Sequence, residues 1–114
     1  MTQKVILIVD DDEDFRLTYR DALELFGYRT LCVSSGMEAL ALLRREPVDL
    51  ILLDLMMPHM DGQELHAVLA RDPALARIPV VAVTAGDTRL DGATHLSKVA
   101  ELEEVLEVVR RACA

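Results

Sequence analysis

Three carboxylates, a hydroxyl and an ammonium recur at one kind of place in this chain, just after a segment with strand character. Asp10 and Asp11 follow Val5–Val9, Asp54 follows Leu50–Leu53, Thr84 follows Val80–Val83, and Lys98 follows Thr94–Ser97. Carboxylates packed together repel one another unless a cation lies among them. Two or three acids can hold Mg²⁺, which prefers hard oxygen ligands and neutralises phosphoryl oxygens. A further carboxylate can attack phosphorus and become an acyl phosphate. A hydroxyl and an ammonium can then hold the transferred oxygens as charge is redistributed. The plainer reading of a lone strand-ending Asp is a turn cap. Acids at a helix start also suit the positive end of its dipole. That accounts for Asp12 (an N-cap), Glu13 and Asp14, but not for so many acids at one strand end.

The elements that must position these groups are legible. Val5–Val9 and Leu50–Leu53 are apolar runs too short for helices and read as buried parallel strands. Arg29–Val33, Val80–Val83 and Thr94–Ser97 read as three more strands. A helix is expected from about Glu13 to Phe26, with Phe15, Tyr19, Ala22, Leu23 and Phe26 facing inward and Gly27 as its C-terminal stop. Ser35-Gly36-Met37-Glu38 and Asp61-Gly62-Gln63-Glu64 have capping-box spacing and start two more helices. A last helix runs from about Glu101 to Ala112. Strands alternating with helices imply an α/β fold, a doubly wound five-stranded parallel sheet with helices on both faces. Ligands bind such sheets beyond the carboxyl ends of the strands, where Asp10, Asp11, Asp54, Thr84 and Lys98 would surround one pocket.

The chain has 114 residues, 52% hydrophobic, which fits one domain, 1–114, with an aliphatic core. No apolar run approaches the ~20 residues of a membrane helix. The start enters directly into a strand pattern and does not read as a signal peptide. Cys32 and Cys113 are too few and too far apart for a disulfide framework or a metal knuckle. Cys32 reads as part of a buried strand, and both cysteines read as reduced cytoplasmic thiols. The net charge of −8 argues against direct nucleic-acid binding and fits cations or basic partner surfaces.

Val9-Asp10-Asp11 with Arg16 beyond, Asp54 with Met57-Pro58 and Met60-Asp61-Gly62, Thr84-Ala85 and Lys98 resemble the receiver domain of bacterial two-component response regulators. The resemblance covers nearly the whole chain. It implies a CheY-like, flavodoxin-like fold and a phosphorylation-dependent signalling switch rather than an enzyme. Asp54 would accept a phosphoryl group from a histidine kinase or phosphotransfer protein. Mg²⁺ would be held by Asp11, by Asp10 mostly through water, by Asp54 and by the backbone carbonyl of Met56. Thr84 and Lys98 would contact the phosphoryl group, and Thr84 and His95 occupy the family's switch positions.

The pattern departs from the family in several places. Val99 stands where a proline usually follows the lysine, and His95 stands where an aromatic residue is usual. Only Ala85–Ala93 separate the fourth strand from the fifth, too short for the usual helical crossover. The fourth helix of the family is therefore expected to be reduced to a loop, with a turn at Thr88-Arg89-Leu90. That shortening implies an exposed Val80–Val83 face and a homodimer that covers it, with His95 near the contact. Met56 and Gly86, at positions that help to place the hydrolytic water in faster relatives, offer no hydrogen-bonding side chain. His59 and His66 read as solvated, and Met56, Met57 and Met60 as packing or turn residues. Two other readings compete. One is a degenerate receiver acting as a phosphorylation-independent interaction module. The other is an Asp-nucleophile phosphohydrolase using Asp10 and Asp12, for whose substrate-covering cap the chain has no room.

Overall fold

The computed structural model describes residues 3–57, 62–86, 89–90 and 92–114. Five parallel strands alternate with four helices: β1 Val5–Val9, α1 Glu13–Leu25, β2 Arg29–Val33, α2 Gly36–Leu43, β3 Leu50–Asp54, α3 Gly62–Arg71, β4 Val80–Thr84, β5 Thr94–Ser97 and α4 Leu102–Ala112. The strand order is β2-β1-β3-β4-β5, the doubly wound arrangement expected. The chain reverses its winding between β1 and β3, which places the ends of those two strands at the switch point. They pair up to Val9 with Leu53, so Asp10 and Asp54 lie one residue beyond the last rung.

Side chains alternate across the strands and build two cores, one on each face. Ile6, Ile8, Leu50, Leu52, Val81 and Val83 pack with Tyr19 and Leu23 of α1 and Val105 and Val109 of α4. Leu7, Val9, Ile51, Leu53 and Ala82 pack with Leu42 of α2 and Leu65 and Leu69 of α3. A strand with both faces covered must be apolar throughout, as β1 and β3 are.

The caps form where the spacing puts them. Asp12 accepts a hydrogen bond from Phe15 N, and Ser35 Oγ accepts one from Glu38 N. Only half of the Ser35–Glu38 capping box closes, because the Glu38 carboxylate accepts from Ser34 Oγ instead. The Asp61 cap, Pro58, His59, Met60 and Thr88 lie outside the described residues.

Several expectations are corrected. α1 ends at Leu25, and Phe26 is 65% exposed rather than part of the inner face. Gly27 has φ +95°, and Tyr28 N folds back onto Leu23 O, so Tyr28 takes the inward position. Cys32 is exposed, because β2 is an edge strand and its side chains are only partly covered.

The crossover from β4 to β5 holds no helix among the described residues, as the short spacing predicts. The face it was expected to bare is closed all the same. Val81, Ala82 and Val83 are at most 1% exposed. Leu90 turns into the core cluster that also holds Ala82, with Val80 and Ala93 packed against that cluster, so a loop side chain contributes to closing this face. His95 holds that loop in place: its Nε2 accepts a hydrogen bond from Leu90 N at 2.8 Å. No cis peptide occurs among the described residues, consistent with Val99 in place of a proline.

Candidate phosphoryl-transfer and metal site

Asp10 and Asp54 are each 1% exposed, and Thr84 is 4% exposed. A buried carboxylate needs partners, and each has found some. Asp10 Oδ1 accepts from Asp12 N at 2.9 Å, and Asp54 Oδ1 accepts from Met56 N at 3.0 Å. Both are Asp turns that use the first free N–H beyond the strand. The Arg16 guanidinium donates to the Asp10 carbonyl at 2.7 Å, which ties the acidic turn to the first coil of α1.

Lys98 bridges the two strand ends. Its Nζ lies 3.3 Å from Asp54 Oδ2 and 3.3 Å from Asp10 Oδ2. Lys98 reaches this point because its own N–H donates to the Thr84 carbonyl, which extends the pairing of β5 to β4 by one residue. The ammonium also sits 4.9 Å from the centre of the Phe15 ring, a cation–π contact. Asp11 is exposed, yet one oxygen from each of Asp10, Asp11 and Asp54 lies within 4.8 Å of the others.

The charges in this cluster are unevenly satisfied. Asp10 is pushed from 3.8 up to about 6, chiefly by burial. The Asp12 N–H opposes that rise, the Asp54 charge adds to it, and Lys98 opposes it. Burial pulls Lys98 down, but the two carboxylates outweigh it and its pKa is raised. The shared ammonium and the Met56 N–H satisfy both oxygens of Asp54 but leave Asp10 incomplete. Asp10 Oδ2 is buried and, although 3.3 Å from Lys98 Nζ, carries no hydrogen bond among the described residues. An orphaned carboxylate oxygen within a triad of acids is what a hard divalent cation would satisfy. The donor set therefore fits Mg²⁺.

Thr84 lies one strand over, where β3 and β4 pair through Asp54 and Val83. Its Oγ1 accepts from Gly86 N at 3.1 Å, which holds the turn after β4. His95 is not joined to Thr84 by any described hydrogen bond; its ring serves Leu90 instead. Met56 is 65% exposed and Met57 is buried. Gly62 is required by close approach: a Cβ there would lie 2.5 Å from the Asp54 carbonyl oxygen and 2.7 Å from Leu55 Cα.

Two contributors were read from the sequence only as packing residues. Phe15 supplies the ring under the Lys98 ammonium. Tyr19 buries a hydroxyl with no hydrogen-bond partner among the described residues, pushed up to about 12 by burial first and the Asp10 charge second. A helical stripe in which Phe15 and Tyr19 are one turn apart and begin beside the acids was the available signal.

The residues from Ile6 to Arg110 match the family model described as the response regulator receiver domain, residues 6–110. The chain belongs to the response regulator receiver family. It is similar to the polar-differentiation response regulator DivK of Brucella ovis, 42% identical over 85 residues, which cover 75% of this chain and 68% of that protein. Its fold is similar to the chemotaxis response regulator CheY4 of Vibrio cholerae, with TM-score 0.89 and 26% identity over 97% of this chain and 99% of the other. It is also similar to the signal receiver domain of a signal transduction histidine kinase from Syntrophus aciditrophicus. There the TM-score is 0.89 and the identity 32%, over 96% of this receiver and 89% of the other. Receivers are two-component signalling domains rather than conventional enzymes, and they bind Mg²⁺ in an acidic pocket. Among the described residues no helix is long and apolar enough to cross a membrane.

Proposed function

We propose that this receiver is a phosphorylation switch in which Asp54 takes a phosphoryl group from the phosphohistidine of a histidine kinase or phosphotransfer protein. The observation that carries this reading is the buried Asp54 carboxylate, 3.3 Å from Lys98 and grouped with Asp10 and Asp11 within 4.8 Å. An Asp54 oxygen forms the new P–O bond as the donor's P–N bond breaks; the imidazole keeps that electron pair and takes up a proton. The Met56 N–H holds Asp54 Oδ1 in position. Lys98 is placed to move from its bridge between the acids to the phosphoryl oxygens. The Thr84 hydroxyl, at the adjacent strand end, is the donor nearest in the topology for another of those oxygens. Asp10, Asp11, Asp54 and the Met56 carbonyl would hold Mg²⁺, which when bound neutralises phosphoryl charge.

Intact mass after treatment with a small acyl phosphate and Mg²⁺ tests the assignment. One phosphoryl mass should be gained, lost in Asp54→Asn and strongly reduced in Asp11→Asn. Gain of that mass by Asp54→Asn would reject Asp54 as the acceptor. The absence of a helix among the described residues between β4 and β5 favours a second reading, a receiver that acts by binding without phosphorylation. No mass gain in the wild-type chain, in a preparation that still binds Mg²⁺, would favour it. With Leu90 closing the β4 face, a homodimer is not needed to cover that face, and we propose that phosphoryl transfer occurs on the single chain. Sedimentation across concentration tests this, and we place the reaction in the cytoplasm, where phosphohistidine donors of this system act.

A further inference from the structure

The end of the sheet opposite the acidic site carries a cleft of about 510 Å³, which the phosphorylation switch does not use. Its floor is apolar, built from Leu43 at the end of α2, Val48 before β3, and Leu75 and Ile78 before β4. Arg44, Arg45 and Arg77 stand at its rim. Such a volume falls within the ~300–1,000 Å³ of small-molecule sites.

The three guanidinium groups are not held in ion pairs. Among the described residues none of them has an ion-pair partner. Two carboxylates, Glu46 and Asp49, line the cleft as well, but each is turned to another group, as is Asp72 nearby. Glu46 Oε2 lies 3.8 Å from Arg29, Asp49 Oδ2 accepts from Val5 N at 2.7 Å, and Asp72 Oδ1 accepts from Ala74 N at 2.9 Å. Arg44 and Arg45 directly follow α2, where cations suit the negative pole of the helix. That reason does not reach Arg77, which comes from a different connection, six residues beyond the last residue of α3. In a chain of net charge −8, three unpaired arginines from two separate segments converge on one apolar cleft.

We propose that this cleft is a binding site for a small nucleotide. Guanidinium groups present planar forks that match phosphate oxygens in pairs, and their faces stack on flat rings. The apolar floor gives the base and sugar a surface that inorganic phosphate would not use. The net charge of −8 repels a long polyanion, so the fit is to a mononucleotide or dinucleotide rather than to nucleic acid.

Titration calorimetry of the full chain with ADP and with GDP, without Mg²⁺, tests the site, with inorganic phosphate and the free nucleosides as separate arms. At least one nucleotide should bind about tenfold or more tighter than phosphate or its own nucleoside. Arg44→Ala and Arg77→Ala should each weaken it about tenfold, the usual scale for a lost charge-assisted hydrogen bond. Arg89→Ala, exposed at the other end of the sheet, and Asp54→Asn should leave it unchanged. Amide shifts of the wild-type protein should move within residues 43–49 and 74–78, which keeps the test independent of how the variants fold. Phosphate binding as tightly as nucleotide, equal affinity in Arg77→Ala, shifts confined to the acidic site, or no binding at millimolar nucleotide would each overturn the proposal.

Discussion

Replacing Asp10 with Asn should stabilise the metal-free receiver at neutral pH and leave its stability at pH 4 almost unchanged. Asp10 lies in a low-dielectric cluster beside a second buried acid, and Lys98 is shared between them. Its pKa is raised from 3.8 to about 6, with burial the largest cause. An acid with a raised pKa binds its proton more tightly in the folded state than in the unfolded one. Stability from that proton is fully present below about pH 4 and is lost as pH rises through about 6. At about 1.4 kcal/mol per pH unit, the whole change is about 3 kcal/mol. Asn mimics the protonated acid at every pH. The variant should therefore match the wild type near pH 4 and exceed it by up to about 3 kcal/mol above pH 7. Urea unfolding in EDTA at half-unit steps from pH 4 to 8 measures the difference. The same titration with Mg²⁺ should close most of that gap above pH 7, because a cation at a hundredfold its Kd adds about 2.7 kcal/mol to the wild type and less to the variant, which has lost one of the three acids. A stability difference that stays flat across this range would show that Asp10 does not carry the burial strain, and the argument from its orphaned oxygen would fall with it.

Three further outcomes can be checked. Gly62→Ala drives a Cβ to 2.5 Å from the Asp54 carbonyl oxygen, so it should cost about 1–3 kcal/mol in denaturant unfolding and slow acyl-phosphate labelling of Asp54; an unchanged unfolding midpoint would contradict the close approach. Leu90→Ala should cost about 2–4 kcal/mol and expose apolar surface to a hydrophobic dye, since Leu90 joins the core cluster from a link with no helix among the described residues; a neutral substitution would mean the loop does not close that face. If Asp54 is the acceptor, its phosphoryl group should hydrolyse slowly, because neither Met56 nor Gly86 offers a side chain to align water. Nothing lies within 4 Å of a Cβ at Gly86, so Gly86→Glu should fit and shorten the lifetime; a wild-type half-life of seconds would reject the reasoning.

The sequence by itself determined the sheet, the strand ends and the set of groups gathered there. The reason is local. Val5–Val9 and Leu50–Leu53 are apolar at every position, which suits a strand covered on both faces, and the polar residue that ends each run lies where the strand leaves that cover, beyond its carboxyl end. Asp12 and Ser35 cap where their spacing places them, because a cap is a contact between near neighbours. The tertiary structure alone decided what depends on partners far along the chain. Cys32 reads as core from its neighbours, but the strand order leaves β2 at an edge. Phe26 continues the apolar stripe of α1, yet the turn at Gly27 sends Tyr28 inward in its place. The short link between β4 and β5 is plain in the sequence, whereas its sealing by Leu90 and by the His95 ring depends on the core cluster that Leu90 joins. The bridge from Lys98 to both Asp10 and Asp54 joins residues 88 and 44 positions apart. No periodicity encodes such a bridge, because it exists only once three strand ends have been brought side by side.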